Sequence, residues 1–98
     1  MHEHGHILVV GAAGIDTKGY AAAPLQPGTS NPGNIRISMG GVARNVAENL
    51  ARLGERAVLL SAVGADQSGR RVRQQAADAG VDVSYLIESA RHHTGAYV

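Results

Sequence analysis

The polarity pattern along the chain changes period several times, and each change marks an element. Residues 6–10, HILVV, form an unbroken β-branched and leucine run closed by Gly11. That pattern predicts a strand buried on both faces of a parallel sheet. Residues 17–39 carry no helical period and hold all three prolines (Pro24, Pro27, Pro32), which predicts a long irregular excursion. At its end, NIRISM alternates Ile35, Ile37 and Met39 with Arg36 and Ser38, the two-residue period of a strand with one covered face.

After Gly40 the period becomes helical. Val42, Ala43, Val46, Ala47, Leu50 and Leu53 fall on one face, with Arg44, Glu48 and Arg52 opposite at four-residue spacing, and Gly54 reads as a left-handed cap. Residues 57–63 predict a second buried strand. Residues 66–79 predict a second amphipathic helix, with Val72, Ala76 and Ala79 inward, Arg70, Arg71 and Arg73 mostly outward, and Gly80 at its end. VDVSYLI (81–87) reads as a third short strand and TGAYV (94–98) as the start of a fourth. This order of strands and helices is that of an α/β protein with a largely parallel sheet flanked by helices. So few elements leave such a sheet partly uncovered. The pattern also reaches Val98 inside a strand, so the expectation is an incomplete N-terminal portion of one domain spanning 1–98.

Composition narrows the partners. The only aromatics are Tyr20, Tyr85 and Tyr97, and the apolar mass is mostly Ala, Val, Leu and Ile, which suits helices packed on a sheet. A net charge of +1 with scattered basic residues gives no stripe to follow a phosphodiester backbone, so nucleic acid is not an expected partner. The absence of cysteine excludes disulfides and thiolate metal sites and fits a reducing compartment. No apolar run is long enough to span a bilayer, and the N-terminus has no basic region followed by a long hydrophobic segment. The expected location is the cytoplasm, with no membrane partner. His2, His4 and His6 would share one side of an extended strand and could bind a transition metal, but a frayed polar terminus is the preferred reading.

Two nucleotide motifs fail. VVGAAGID has only G-x-x-G after the first strand and no helix behind it, and no G-x-x-x-x-G-K-[ST] occurs, so dinucleotide and P-loop sites are not expected. Asp16 lies beyond the carboxyl end of the first strand, where open α/β sheets place ligand contacts. Its carboxylate can accept two hydroxyl hydrogen bonds from a polyol; an Asx-turn or a helix cap is the competing use. Gly40 and Gly41 open the first helix. Either they make room for tight packing, or they let a ligand oxygen reach the unpaired amides at the positive helix end. Asn45 follows on the border of the apolar face, able to donate to and accept from a hydroxyl. Asn49, one turn on, reads as a buried amide bonded to neighbouring backbone.

The Gly-Gly-x-x-x-Asn helix start, the Asp beyond the first strand, the excursion between them and the later SAVGAD-x-x-G together resemble the N-terminal part of the ribokinase-like (PfkB) carbohydrate kinases. The likeness runs through nearly the whole chain. Within the family, GAAGIDTKGY, the SNPG turn, the Arg44-Asn45 pair and LLSAVGAD are most similar to the bacterial pseudouridine kinases. The resemblance implies a ribokinase-like fold with a small β lid formed by residues 17–39 and 94–98. It implies that Asp16 and Asn45 bind ribose hydroxyls while Gly40 and Gly41 present backbone to the sugar. It implies transfer of a phosphoryl group from ATP, with Mg²⁺, to a nucleoside or sugar substrate, and a possible homodimer through the lid. Tyr97 would lie along the lid face that meets the base, or serve packing. Asp66 would border the substrate cleft, with a helix cap as the alternative; His92 and His93 would face water. The family's anion-hole glycines, catalytic aspartate, ATP site and Mg²⁺ site lie in the C-terminal half, so no catalytic, cofactor or metal residue is expected here. The family often has Asn two residues before this Asp, whereas this chain has Gly14.

Overall fold

The computed structural model describes residues 5–98. In chain order the elements are β1 (Ile7–Val10), β2 (Gly14–Ala21), β3 (Gly33–Gly40), α1 (Val42–Arg52), β4 (Ala57–Leu60), β5 (Ala62–Gly64), α2 (Gln67–Asp78), β6 (Ile87–Ser89) and β7 (Gly95–Tyr97). The α/β expectation holds: β1 pairs parallel with β4, and β5 pairs parallel with β6. β4 and β5 are one extended run broken at the buried Ser61, whose carbonyl accepts from the Ile87 amide at 2.8 Å. The single strand expected over 57–63 is therefore two pieces. The strand expected over 81–87 makes only one bridge, Asp82 to Val58, before the Asp82 carboxylate takes the Ser84 amide at 2.9 Å and turns the chain. Pairing resumes at Ile87.

Parallel crossovers are right-handed, so two that advance in one direction put both helices on the same face. α1 packs on β1 and β4, and α2 packs on β2 and β5. Ala47, Leu59, Val63, Val72 and Ala76 are buried between these layers. Among the described residues nothing covers the opposite sheet face. Leu8 and Val10 are exposed there, which corrects the expectation that the first strand is buried on both faces.

The larger correction concerns residues 17–39, which are not irregular. β2 and β3 form an antiparallel hairpin in continuous register from Gly14 opposite Gly40 to Ala21 opposite Gly33. Only residues 22–32 connect them, and the prolines sit there, where a missing N–H costs the ladder nothing. The sequence hides this strand because β2 reads GIDTKGYA, with glycine and threonine where an apolar alternation would continue. β7 adds to β2 in parallel, placing Gly95, Ala96 and Tyr97 opposite Gly14, Ile15 and Asp16. The resulting sheet has the order β3-β2-β7. Its far end stands away from the body: the radius of gyration is 16.4 Å, against about 13 Å for a compact chain of this length.

α1 is also turned relative to its expected face. Ala43, Arg44 and Ala47 are buried, whereas Val42, Val46 and Leu53 are exposed. Asn49, expected to be buried, is exposed as well. The rotation brings a charged side chain inward, where polar partners wait for it.

Candidate active site

Residues directly opposite one another in a sheet share a face. Asp16 lies opposite Ser38 on one side and Tyr97 on the other, so all three project from the same face of the β3-β2-β7 sheet. Lys18 and Arg36 follow on that face, opposite each other in register. Ile15, Ile35, Ile37 and Met39 occupy the reverse face. The hairpin is thus polar on one side and apolar on the other.

Asp16 is half-buried, and among the described residues its carboxylate has no hydrogen bond or ion pair. It is neither an Asx-turn nor a helix cap. Its place is set by Gly40. A Cβ on Gly40 would lie 2.4 Å from Asp16 Oδ2 and 2.8 Å from Cγ, so the space a side chain would take holds the carboxylate. Gly41 does different work. It is the N-cap of α1 with φ +92°, and a Cβ there would lie 2.4 Å from the Ala12 carbonyl oxygen. Among the described residues no side chain caps α1; the Arg44 amide donates to the Ala12 carbonyl at 3.2 Å. Each glycine therefore has a packing cause, and the product of that packing is an unpartnered carboxylate beside the positive end of a helix.

Asn45 lies one turn into α1, with its amide donating to the Gly41 carbonyl at 3.0 Å and its side chain exposed. Arg44, only 6% exposed, donates from Nη1 to Asn45 Oδ1 at 3.1 Å. Its Nη2 donates to Glu48 Oε1 and, across to α2, to Gln75 Oε1 at 3.0 Å. With Oδ1 occupied by arginine, Asn45 presents its NH₂ as a donor. Glu48 also accepts from Arg52 Nε at 2.7 Å; this bond first, and the Arg44 charge after it, lower the Glu48 pKa.

Asp66 is the N-cap of α2, accepting from the Gly69 amide through Oδ1 at 2.7 Å. It also binds Thr94, accepting from its hydroxyl at 2.6 Å and from its amide at 3.0 Å. These bonds, the Thr94 hydroxyl foremost, hold the Asp66 pKa down to about 2. His93 Nδ1 stands 3.7 Å from Oδ2, and His92 and His93 are both exposed. Among the described residues no three His, Asp or Glu side chains gather as a metal site. His6 is exposed, and His2 and His4 lie outside the described residues. No helix there is long and apolar enough to cross a membrane.

Sequence reasoning passed over Ser38 and Thr94. Recognising the hairpin would have identified Ser38 by counting register back from Gly40. Nothing in the sequence around Thr94 marks its link to Asp66, which spans 28 positions.

Residues 5–98 match the family model described as pfkB family carbohydrate kinase. The chain is 41% identical over all 98 residues to a pseudouridine kinase of Escherichia coli (strain K12), covering 31% of that protein. Over 92 residues, 94% of this chain, it is 37% identical to a guanosine-inosine kinase of Exiguobacterium acetylicum, covering 30% of that protein. A crystal structure of ribokinase from Cryptococcus neoformans var. grubii serotype A, in complex with ADP, superposes with a TM-score of 0.76 at 26% identity, covering 95% of this chain and 30% of that one. The fold is thus ribokinase-like. The chain spans about a third of the length of the relatives it matches.

Proposed function

Because the chain belongs to the pfkB family of carbohydrate kinases, we propose that it forms the substrate-binding part of an enzyme that transfers a phosphoryl group from ATP to the ribose 5′-hydroxyl of pseudouridine. The observation that carries this reading is the half-buried, unpartnered Asp16 carboxylate seated against Gly40 at the start of α1. A carboxylate so placed accepts two hydrogen bonds from adjacent sugar hydroxyls, and Asn45 Nδ2 can donate a third to the same ring. Positioning of this kind is most of what protein groups contribute to phosphoryl transfer. The hairpin, read as a lid made of residues 17–39 and 94–98, would close over the nucleoside with Tyr97 along the base and exclude water. Its exposed Ile35 and Ile37, on the reverse face, support pairing with a second copy.

ATP and Mg²⁺ are the co-reactants of such a transfer. The described residues hold no cluster of metal-ligating side chains, and the role assigned to them here is acceptor binding alone. A cytoplasmic location goes with this reading.

One observation favours a second substrate class. A Cβ at Gly14 would lie 2.5 Å from the Gly95 carbonyl, so no side chain can supply a sugar contact from that position. A free sugar or an ordinary nucleoside held with fewer contacts is the alternative, and a non-catalytic binding or dimerisation module is the third.

The test uses the complete protein that carries this chain, with ATP and, separately, pseudouridine, uridine, adenosine, ribose and fructose, read by mass spectrometry. Product from pseudouridine alone is the expected result. Product only from a free sugar moves the assignment to the second reading, and none from any substrate favours the module.

A further inference from the structure

β7 is a three-residue strand at the edge of the hairpin sheet, yet it lies directly against the stretch of β2 that carries Asp16. Besides that pairing, its anchor among the described residues is Thr94, the residue before it. Thr94 is 8% exposed. Its hydroxyl donates to Asp66 Oδ1 at 2.6 Å and accepts from the Gly64 amide at 2.9 Å, while its amide donates to Asp66 Oδ2 at 3.0 Å. Both oxygens of one carboxylate and a β5 amide thus hold a single residue through its hydroxyl and its backbone amide.

A helix cap needs only one of those oxygens, and Oδ1 serves that purpose through the Gly69 amide. Oδ2 is aimed at Thr94 and, more distantly, at the exposed His93. We propose that Asp66 is a positioning residue for acceptor binding: through Thr94 it fixes β7 against β2 and so sets where the Asp16 carboxylate stands. This rests on the reading of Asp16 as the sugar-hydroxyl ligand. The path is short and contiguous: Asp66, Thr94, Gly95 opposite Gly14, Tyr97 opposite Asp16. Loosening its first link lets β7 slide or lift, and β2 then loses the partner on one side of Asp16.

Substitution separates the cap from the clamp. Asp66→Asn keeps an oxygen for Gly69, and asparagine caps helices as well as aspartate does, but it sets an NH₂ against the Thr94 amide, two donors face to face. Thr94→Val removes the hydroxyl, whereas Thr94→Ser retains it. In the complete protein, Asp66→Asn and Thr94→Val are expected to raise KM for the phosphoryl acceptor roughly ten-fold or more, as small misplacements of a binding group do. KM for ATP should stay unchanged, and Thr94→Ser should behave like the parent. In an Asp16→Asn background, Asp66→Asn should add less than about two-fold, because the residue it acts through is already gone.

A merely structural role would lower kcat through loss of active protein and leave the acceptor KM alone; that result overturns the proposal. So does a full additional effect of Asp66→Asn on top of Asp16→Asn. If Asp16→Asn by itself leaves the acceptor KM unchanged, the assignment of Asp16 fails and this inference with it. A raised KM in Asp16→Asn together with a parental one in Asp66→Asn removes the inference and leaves the site standing.

Discussion

Gly40→Ala asks for a single methyl group where the structure holds a carboxylate. The new Cβ would lie 2.4 Å from Asp16 Oδ2, and ordinary contact begins at 3.4 Å, so the carboxylate must retreat by about 1 Å. It can do so, because no hydrogen bond or ion pair among the described residues holds it in place. The fold should therefore tolerate the change, since Gly40 lacks the positive φ that would strain an alanine. Binding should not. A displacement of 1 Å in a positioned group costs up to about a hundred-fold in rate, equivalent to ~2.7 kcal/mol of transition-state stabilisation. The assay is steady-state kcat/KM for the acceptor in the complete protein, with a thermal melt beside it. The expected outcome is a loss of roughly ten- to a hundred-fold with a nearly unchanged melting point. Gly41→Ala is the control with the opposite profile. Its φ of +92° and the Ala12 and Ala13 backbone within 2.6 Å make it a folding defect first. If Gly40→Ala retains kcat/KM within two-fold, the carboxylate need not stand where it does and the reasoning is wrong.

Two further outcomes follow from the charged groups. Arg44→Met removes a buried guanidinium, whose Nε has no partner among the described residues, and leaves Gln75 without its donor while Glu48 keeps only Arg52, so stability by denaturant titration should fall by about 1–3 kcal/mol. Asn45, freed from Nη1, should also lose orientation and raise the acceptor KM several-fold. For Asp66, folding lowers the pKa from 3.8 to about 2, so the native state binds fewer protons than the unfolded one. The stabilisation is present above about pH 4 and is lost as the pH falls toward 2. Acid melts of the complete protein should show that loss, and Asp66→Asn should flatten it.

The two helices and the parallel strand that joins them were legible because burial on one side imposes a period, and the glycines at 54 and 80 punctuate them. Gly40 and Gly41 could be singled out because they stand where a helical period begins, Asn45 because it follows them by one turn, and Asp16 because it follows the first strand, although it lies inside β2 and not in a loop. The hairpin was not legible, for a physical reason: a ribbon standing in solvent need not alternate strongly, and β2 spends its positions on Asp16, Lys18 and Gly19. The face of α1 was misjudged because hydrophobicity ranks Val42 and Leu53 above Arg44, whereas Glu48 and Gln75 make the arginine the better buried residue. Asp66 was legible as a cap from its place before the helix, but its second oxygen was not, since Thr94 is distant in sequence.

The register of the hairpin imposes a rule of parity on any change in its length. Asp16, Ser38 and Tyr97 share a face only while the count from Gly14 and Gly40 is kept. One inserted residue in β2 before Asp16 would exchange the polar and apolar faces from that point onward, turning the carboxylate away from the helix start. Two inserted residues beyond Lys18, matched in β3, would restore the alternation and lengthen the ribbon by about 7 Å. Relatives with larger acceptors should therefore differ from this chain in paired steps along the ribbon, or within residues 22–32 where no register applies. Single-residue length differences between Gly14 and Asp16 should be rare among active enzymes.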